Sequence, residues 1–389
     1  MQPNVIFVGA GPIGLYTAIQ AKLYNPSLNI LMIERNVEYL RKHILNIDKK
    51  SFVGAHPDAR LQKILAQFEG PVPTIDIESR LKSLAQSLGI SFEHEKVDNV
   101  NALTSRYPSA HTIIGADGAN SIVRQEIFHD EKLKEKTLQY IVEVKYHAKN
   151  CARKLGFFEY AHALTKINHL AVENVGRESK HLTPVTLAFF TDKETHDAFR
   201  ALGVTAWKGM SLNKLKKQKD PKIASIAPSV LAWMEYRKKH TQEILIKDSD
   251  KIAAVAFSTY QSKAVVKYQN GKKFVLIGDA AMSVPYFRSI NAGLKGGNYA
   301  AKLIANRLKN QNYQQEFEAI AHHEIRAAQH TNRLVHIGRF FTSIMQNSLH
   351  MINYAASMIL NFCILSISQG KRRIILIATS HEPLRMGIF

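Results

Sequence analysis

The stretch VIFVGAGPIGLYTAIQA, residues 5–21, decides how this chain is read. Val5–Val8 is a short apolar run of β-branched and aromatic residues, the pattern of a buried parallel strand. Gly9 opens a tight turn directly after it, Gly11 lets the main chain approach a pyrophosphate, and Gly14 lets the next helix pack close to the strand. Pro12 suits the first helical turn, where its missing N–H would have had no helical partner. Free N–H groups and the helix dipole at that N-terminus favour a phosphate. A second strand, Asn29–Ile33, is expected to deliver Glu34, whose carboxylate can accept hydrogen bonds from a ribose diol.

Two later segments carry the reading further. TIIGADGANSIVR surrounds Asp117, and FVLIGDAAMSVPYF surrounds Asp279. The bland reading of the first segment is a glycine-rich turn with no ligand, but strand, turn, helix, strand and acid all fall in place. Three such segments in this order point to bound FAD.

Composition bounds the architecture. A chain of 389 residues with 46% hydrophobic content can bury a large core. Residues 1–130 alternate strand and helix as the first part of an FAD-binding domain, with Leu81, Leu84, Ala85 and Leu88 forming the apolar stripe of a helix that Gly89 stops. A strand at Ile90–Glu93 follows. Residues 131–255 carry strand-like runs, TLQYIVEVKY, TPVTLAFF and the start of KIAAVAFSTY, and suit a sheet-rich substrate domain. Residues 256–310 return to the FAD-binding domain, and 311–389 read as helical. The fold class expected is α/β, a Rossmann-like βαβ domain with an inserted sheet-rich domain and a helical tail.

At this point the residues bring a resemblance. GAGPIGL with Glu34, GADGANSIVR and VLIGDAAMSVPYF resemble the fingerprints of the class A FAD-dependent monooxygenases, the superfamily of p-hydroxybenzoate hydroxylase. VPYFRSINAGL is similar to the VPFFGQGMNAGF-like segment of kynurenine 3-monooxygenases, and LRKHILNI is similar to the R-x-N-x-L stretch of the MICAL monooxygenases. The resemblance implies that Gly9, Gly11, Pro12, Ile13, Gly14, Glu34 and Arg35 hold the ADP half of FAD, with Asp117 and Gly118 near the pyrophosphate. It implies that Asp279 bonds the ribityl chain, that Pro285 and the Asn291-Ala292-Gly293 backbone border the flavin ring, and that Arg41 lies near it.

The same resemblance implies a reaction. NAD(P)H, bound transiently, would reduce FAD, and a flavin C4a-hydroperoxide would hydroxylate an aromatic or related substrate. No second G-x-G-x-x-G marks a separate NAD(P)H domain, and no residue is singled out as a catalytic acid or base. The chain departs from the family at four places: Arg288-Ser289 replaces G-x-G, Lys295 with Gly296-Gly297 replaces acidic residues, Met282 replaces a histidine, and Glu78 replaces an arginine, with Arg80 two positions on. The altered loop at Arg288 keeps open an FAD-dependent reductase or dehydrogenase, and the basic charge and apolar tail keep open a degenerate flavoprotein serving as an interaction module.

Lys plus Arg number 52 against 32 for Asp plus Glu, a net charge of +20. The excess clusters at Lys214–Lys222, Arg237–Lys239 and Lys371–Arg373. Such a field concentrates anionic small molecules, acidic protein or anionic lipid, whereas a merely solvated basic face is the bland reading. No nucleic-acid motif accompanies it, so no dedicated nucleic-acid partner is expected. Cys151 and Cys363 without C-x-x-C spacing, and a first strand too early to leave room for a leader, suggest a reducing, cytoplasmic setting. The 17 histidines show no metal-ligand spacing, and the adjacent His322 and His323 read as surface residues. The tail Met351–Ser368 is nearly continuously apolar but polar-spotted, which leaves open a helix packed on the body, peripheral membrane docking or a span.

Overall fold

The computed structural model describes residues 2–36, 44–129, 133–149, 153–176, 178, 181–205, 208–285 and 288–369. Its centre is β1 (Val5–Val8), every residue of which is buried. A strand covered on both faces needs an unbroken apolar run, which is what the sequence supplies. β1 feeds α1 (Pro12–Tyr24) and then β2 (Ile30–Glu34), which pairs parallel with β1 in the register Val5↔Ile30. The antiparallel pair β3 (Ile44–Ile47) and β4 (Gly70–Pro73) flanks α2 (Ala59–Leu65). Next comes α3 (Thr74–Ser87), with Leu81, Leu84 and Ala85 buried and Gly89 beyond its end at φ +77°. β5 (Ser91–His94) pairs with β2, and α4 (Val100–Arg106) leads to β6 (Thr112–Gly115), which lies on the other side of β1. α5 (Ile122–Ile127) closes this part of the chain.

The chain then builds a second, antiparallel sheet. β7 (Lys134–Lys149) is its long central strand, and Val142, Val144, Tyr146 and Ala148 alternate into the core with the period of two that a half-buried strand requires. α6 (Phe157–Leu164), β8 (Ala171–Val175), β9 (Thr183–Thr191), α7 (Lys193–Ala201), α8 (Leu212–Lys216), α9 (Pro221–Thr241), β10 (Ile244–Leu245) and β11 (Lys251–Gln261) follow. α9 starts at Asp220, which caps the N–H groups of Lys222 and Ile223, with Pro221 in its first turn. It buries Ile223, Ile226, Val230 and Trp233 in the second core. At the end of this helix the fully buried Arg237 bonds Glu173, Glu243, Tyr146 and the Arg153 carbonyl, so its charge is compensated on every side.

β12 (Val266–Gln269) and β13 (Lys272–Leu276) bring the chain back to the first sheet. Their two-residue connection has φ +50° at Asn270 and +71° at Gly271, the paired positive values of a hairpin turn that an Asn-Gly sequence favours. The first sheet thus has the order β12-β13-β6-β1-β2-β5, parallel except for β12. β14 (Met282–Ser283) joins the second sheet, ordered β14-β11-β7-β9-β8, so its pairing with β11 physically links the two. α10 (Arg288–Ile304) and the long α11 (Asn310–Gln369) complete the described residues. Among the described residues, no helix is long and apolar enough to cross a membrane. The tail stretch Met351–Ser368 is helical, while Lys371–Arg373 and Ile374–Ala378 lie outside the described residues.

α1 is the helix on which the first layer turns. Asn298 of α10 accepts hydrogen bonds from the Tyr16 hydroxyl at 2.6 Å and Gln20 Nε2 at 3.0 Å, and its own amide donates to the Val53 carbonyl. All three side chains are buried, and burial pushes the Tyr16 phenol well above its ordinary value. Replacing Asn298 by Ala strands the Tyr16 hydroxyl and the Gln20 amide; urea unfolding is expected to show a loss of about 1–3 kcal/mol.

Candidate functional site

The strand order decides where a ligand can sit. The chain leaves β1 toward β2 on one side, whereas β6 is followed across the sheet by β13 on the other. The loops after β1 and β6 therefore diverge and leave a crevice at the carboxyl ends of the two strands, the usual ligand position in an open parallel sheet. Gly9 holds φ +101°, and a Cβ there would stand 2.5 Å from the Ala116 carbonyl oxygen and 2.8 Å from Asp117 Cα. A Cβ on Gly14 would meet the Gly9 carbonyl oxygen at 2.7 Å. Gly11 differs: its φ of −70° suits any residue, and a Cβ on it meets nothing within 4 Å. Two of the three glycines are thus required by packing, and the third faces open space. Gly11 is also the N-cap of α1, with no side-chain cap, and Pro12 follows it buried in the first turn.

The acidic residues converge on this crevice from three strands. Glu34 ends β2, and its carboxylate accepts the Ala10 N–H at 2.9 Å and both nitrogens of Asn36. It braces the turn it was expected to serve, while a carboxylate has about four lone-pair positions to offer. Arg35 beside it is exposed, and Arg41 lies outside the described residues. Asp117 accepts the Ile122 N–H at 2.6 Å through Oδ2, while Oδ1 is buried with no hydrogen-bond partner. Burial pushes this carboxyl up, against the Ser121 hydroxyl and the Ile122 N–H, which favour the charged form. Gly118 follows at φ +84° with open space around it. Asp279 is exposed in the short turn Gly278–Ala280 after β13.

Arg124 and Tyr260 belong to this site although nothing in their spacing singled them out. The Arg124 guanidinium donates to the carbonyls of Ala119 and Ala280, the latter at 2.7 Å, and stands over the Tyr260 ring at 5.2 Å. The Tyr260 hydroxyl donates to the Asp279 carbonyl, and burial beside Asp279 pushes its phenol up to about 12. These two side chains clamp the Asp117 loop to the Asp279 turn.

The third segment is locked to the first through Ile13. Cβ atoms placed on Gly278 and Gly293 would meet the Ile13 side chain at 3.2 Å and 2.8 Å, so both glycines make room for it. Asn291, Ala292 and Gly293 lie in the first turns of α10, with Ala292 and Gly293 buried and Pro285 half-buried before it. The Asn291 side chain fastens α10 to the β3 region, accepting from the Asp48 N–H and Ser51 hydroxyl and donating to the Asn46 carbonyl. Of the departures from the family pattern, Met282 is a buried strand residue, Glu78 is buried on α3, and Arg80 bonds Gln67. The two basic ones share a partner: Arg288 and Lys295 each donate to Glu324 of α11 at 2.9 Å. Glu324 is 3% exposed, and no sequence spacing announces it. His322 and His323 are exposed, with His323 Nδ1 3.3 Å from Glu324.

Another cleft lies elsewhere. It measures about 880 Å³ and lies between α11 and the paired ends of β7 and β11, where Lys134, Lys136 and Arg326 mix with Glu135 and Glu318. Thr259 and Gln261 line it, whereas the intervening Tyr260 meets Asp279 on the opposite face of β11.

No protein-family model and no curated protein sequence matches the chain. Solved structures do. The Diels-Alderase PyrE3 of pyrroindomycin biosynthesis superposes with a TM-score of 0.56 at 15% identity, covering 87% of this chain and 76% of its own. The flavin-dependent brominase Bmp2 gives 0.53 at 15%, covering 92% of each chain. CabE, an aromatic hydroxylase of angucycline biosynthesis, gives 0.50 at 12%, covering 86% and 68%. The chain shares its fold with these proteins, a flavin-dependent brominase and an aromatic hydroxylase among them. At these identities the likeness is one of fold, and it includes both the parallel sheet and the second, antiparallel one.

The glycine geometry separates two kinds of substitution. Gly9→Val drives side-chain atoms into the Ala116 carbonyl and is expected to lose about 3 kcal/mol or more of stability. Gly11→Val should melt within a few degrees of the wild type, since its side chain enters open space. The Glu324 carboxyl is raised by burial, yet Lys295 and Arg288 hold it below the ordinary glutamate range. A depressed folded-state value means that its contribution is full above the unfolded value and is lost as pH falls through the folded one. Glu324→Gln should therefore cost about 1–3 kcal/mol at neutral pH, with the melting gap to wild type closing as pH falls below about 4.

Proposed function

We propose that this chain is an FAD-dependent, NAD(P)H-consuming monooxygenase that hydroxylates an aromatic or related, anionic substrate. The observation that supports it best is the crevice between the β1 and β6 loops, with open space at Gly11 and Gly118 and an uncapped helix start. These features fit the ADP half of a dinucleotide. The N-terminus of α1 would hold the pyrophosphate, Glu34 would accept a ribose hydroxyl with its remaining lone pair, and Asp117 Oδ1 is a buried acceptor without a donor.

Asp279, exposed beside the Arg124–Tyr260 clamp, would bond the ribityl chain. Pro285 and the first turns of α10 at Asn291–Gly293 would border the ring, with Arg41 near it. When bound, FAD would take electrons from NAD(P)H and react with O₂; the chain's own task is to orient the ring and exclude water. The sheet-rich residues 131–255 would supply the substrate domain. Flavin-dependent bromination by Bmp2 and aromatic hydroxylation by CabE support an oxidative role, and VPYFRSINAGL favours a ring site like that of the kynurenine monooxygenases. The basic surface would raise the local concentration of carboxylates.

A second reading, reduction without oxygen insertion, is favoured by Arg288, which Glu324 holds where the family has a glycine loop against the ring. FAD titration followed by turnover under labelled O₂ decides. Labelled product supports hydroxylation, and peroxide alone with every substrate favours the second reading. Glu34→Gln keeps the turn's acceptor and should weaken FAD by about 1–3 kcal/mol, roughly 5- to 150-fold in Kd. Gly11→Val should remain folded and lose FAD almost entirely, and equal FAD affinity in both variants and wild type would remove the crevice from the reading.

A further inference from the structure

Far from the crevice, at the outer end of the second sheet, two adjacent aromatic side chains stand in solvent. Phe157 and Phe158 begin α6 and are 80% and 84% exposed, touching each other edge to face at 5.5 Å. Their apolar surface is large, and leaving it in water forfeits the free energy that burying it would supply. Such a pair on a surface marks a contact.

Its surroundings are basic. Arg153 and Lys154, both exposed, precede the pair across Leu155 and Gly156, and Arg153 reaches across to the carbonyl of His240 at the end of α9, after the exposed Lys238 and Lys239. Lys166 stands at the other end of α6. Glu159 is held by Arg153 through both of its oxygens and by the Gly156 N–H, so that pair is neutral and the positive field here comes from the exposed Lys154, Lys238 and Lys239. After α9 come the exposed apolar residues Ile244 and Leu245 of β10, paired with Lys149 and Ala148 at the end of β7. Lys247 follows them, also exposed.

We propose that this tip is a docking surface for an anionic lipid bilayer, with Phe157 and Phe158 entering the headgroup region and Lys154, Lys238 and Lys239 meeting the lipid phosphates. Protruding rings suit a soft interface, whereas a protein partner would more commonly be met by a groove or a flat face. The rim of cations and the net charge of +20 select a negative surface. The site stands apart from the proposed flavin crevice, so it does not depend on the proposed reaction.

The full-length protein is sedimented with vesicles of phosphatidylcholine alone and with added phosphatidylserine. Binding is expected only with phosphatidylserine and should weaken as salt rises. Phe157→Ser/Phe158→Ser and, separately, Lys238→Gln/Lys239→Gln should each lower vesicle affinity about tenfold or more, with unchanged melting because all four residues are exposed. Phe158→Trp should show blue-shifted emission and quenching by brominated lipid. Wild-type binding by the double serine variant overturns the assignment, as does indole emission from the Phe158→Trp variant that is indifferent to vesicles. If wild-type protein ignores vesicles but binds immobilised polyglutamate through the Phe pair, the surface is one for acidic protein and the lipid assignment is wrong.

Discussion

Everything at the centre of this molecule depends on how closely two backbone loops approach each other. The turn after β1 and the loop after β6 touch through Gly9, whose missing Cβ leaves room for the Ala116 carbonyl. Parallel strands fix the distance between those loops, since Val5–Val8 and Thr112–Gly115 are in register along their whole length. Once strand spacing and loop contact are set, α1 has one direction in which to leave, and its first turn faces the crevice. The remaining first-layer contacts, from Tyr16 and Gln20 to Asn298 and from Ile13 to Gly278 and Gly293, follow from that direction.

Much of this architecture was legible in the sequence because it rests on local rules. The apolar run before Gly9 could only be a doubly covered strand, and the stripe Leu81, Leu84, Ala85 ended at Gly89 as α3 does. Strands shifted by one residue, β2 to Ile30–Glu34 and β5 to Ser91–His94, because ladder pairing rather than composition sets their ends. The second sheet showed itself through alternation in β7 and β9. That β11 and β14 would pair, and so carry the chain from one sheet to the other, is a long-range fact with no local trace.

The site was less legible for the same reason. Gly9, Gly11 and Gly14 looked equivalent in a motif, yet two are steric and one is open. Asn291 was expected to act through its backbone, but its side chain also binds the β3 region. Arg288 and Lys295 read as departures until Glu324, on another helix, gave both a partner. Charges that look anomalous one at a time can form a compensated set in three dimensions, and only the folded chain reveals the set.

Ile13 carries a consequence of its own. Its side chain occupies the space left by Gly278 and Gly293, far downstream in the chain, so three distant stretches of sequence share a single volume. A methyl on Gly293 would press on Ile13 Cγ1 at 2.8 Å, so it fits only if the Ile13 side chain shifts or is made smaller. The three segments therefore behave as one tumbler lock, in which a change of size at one place must be answered at another.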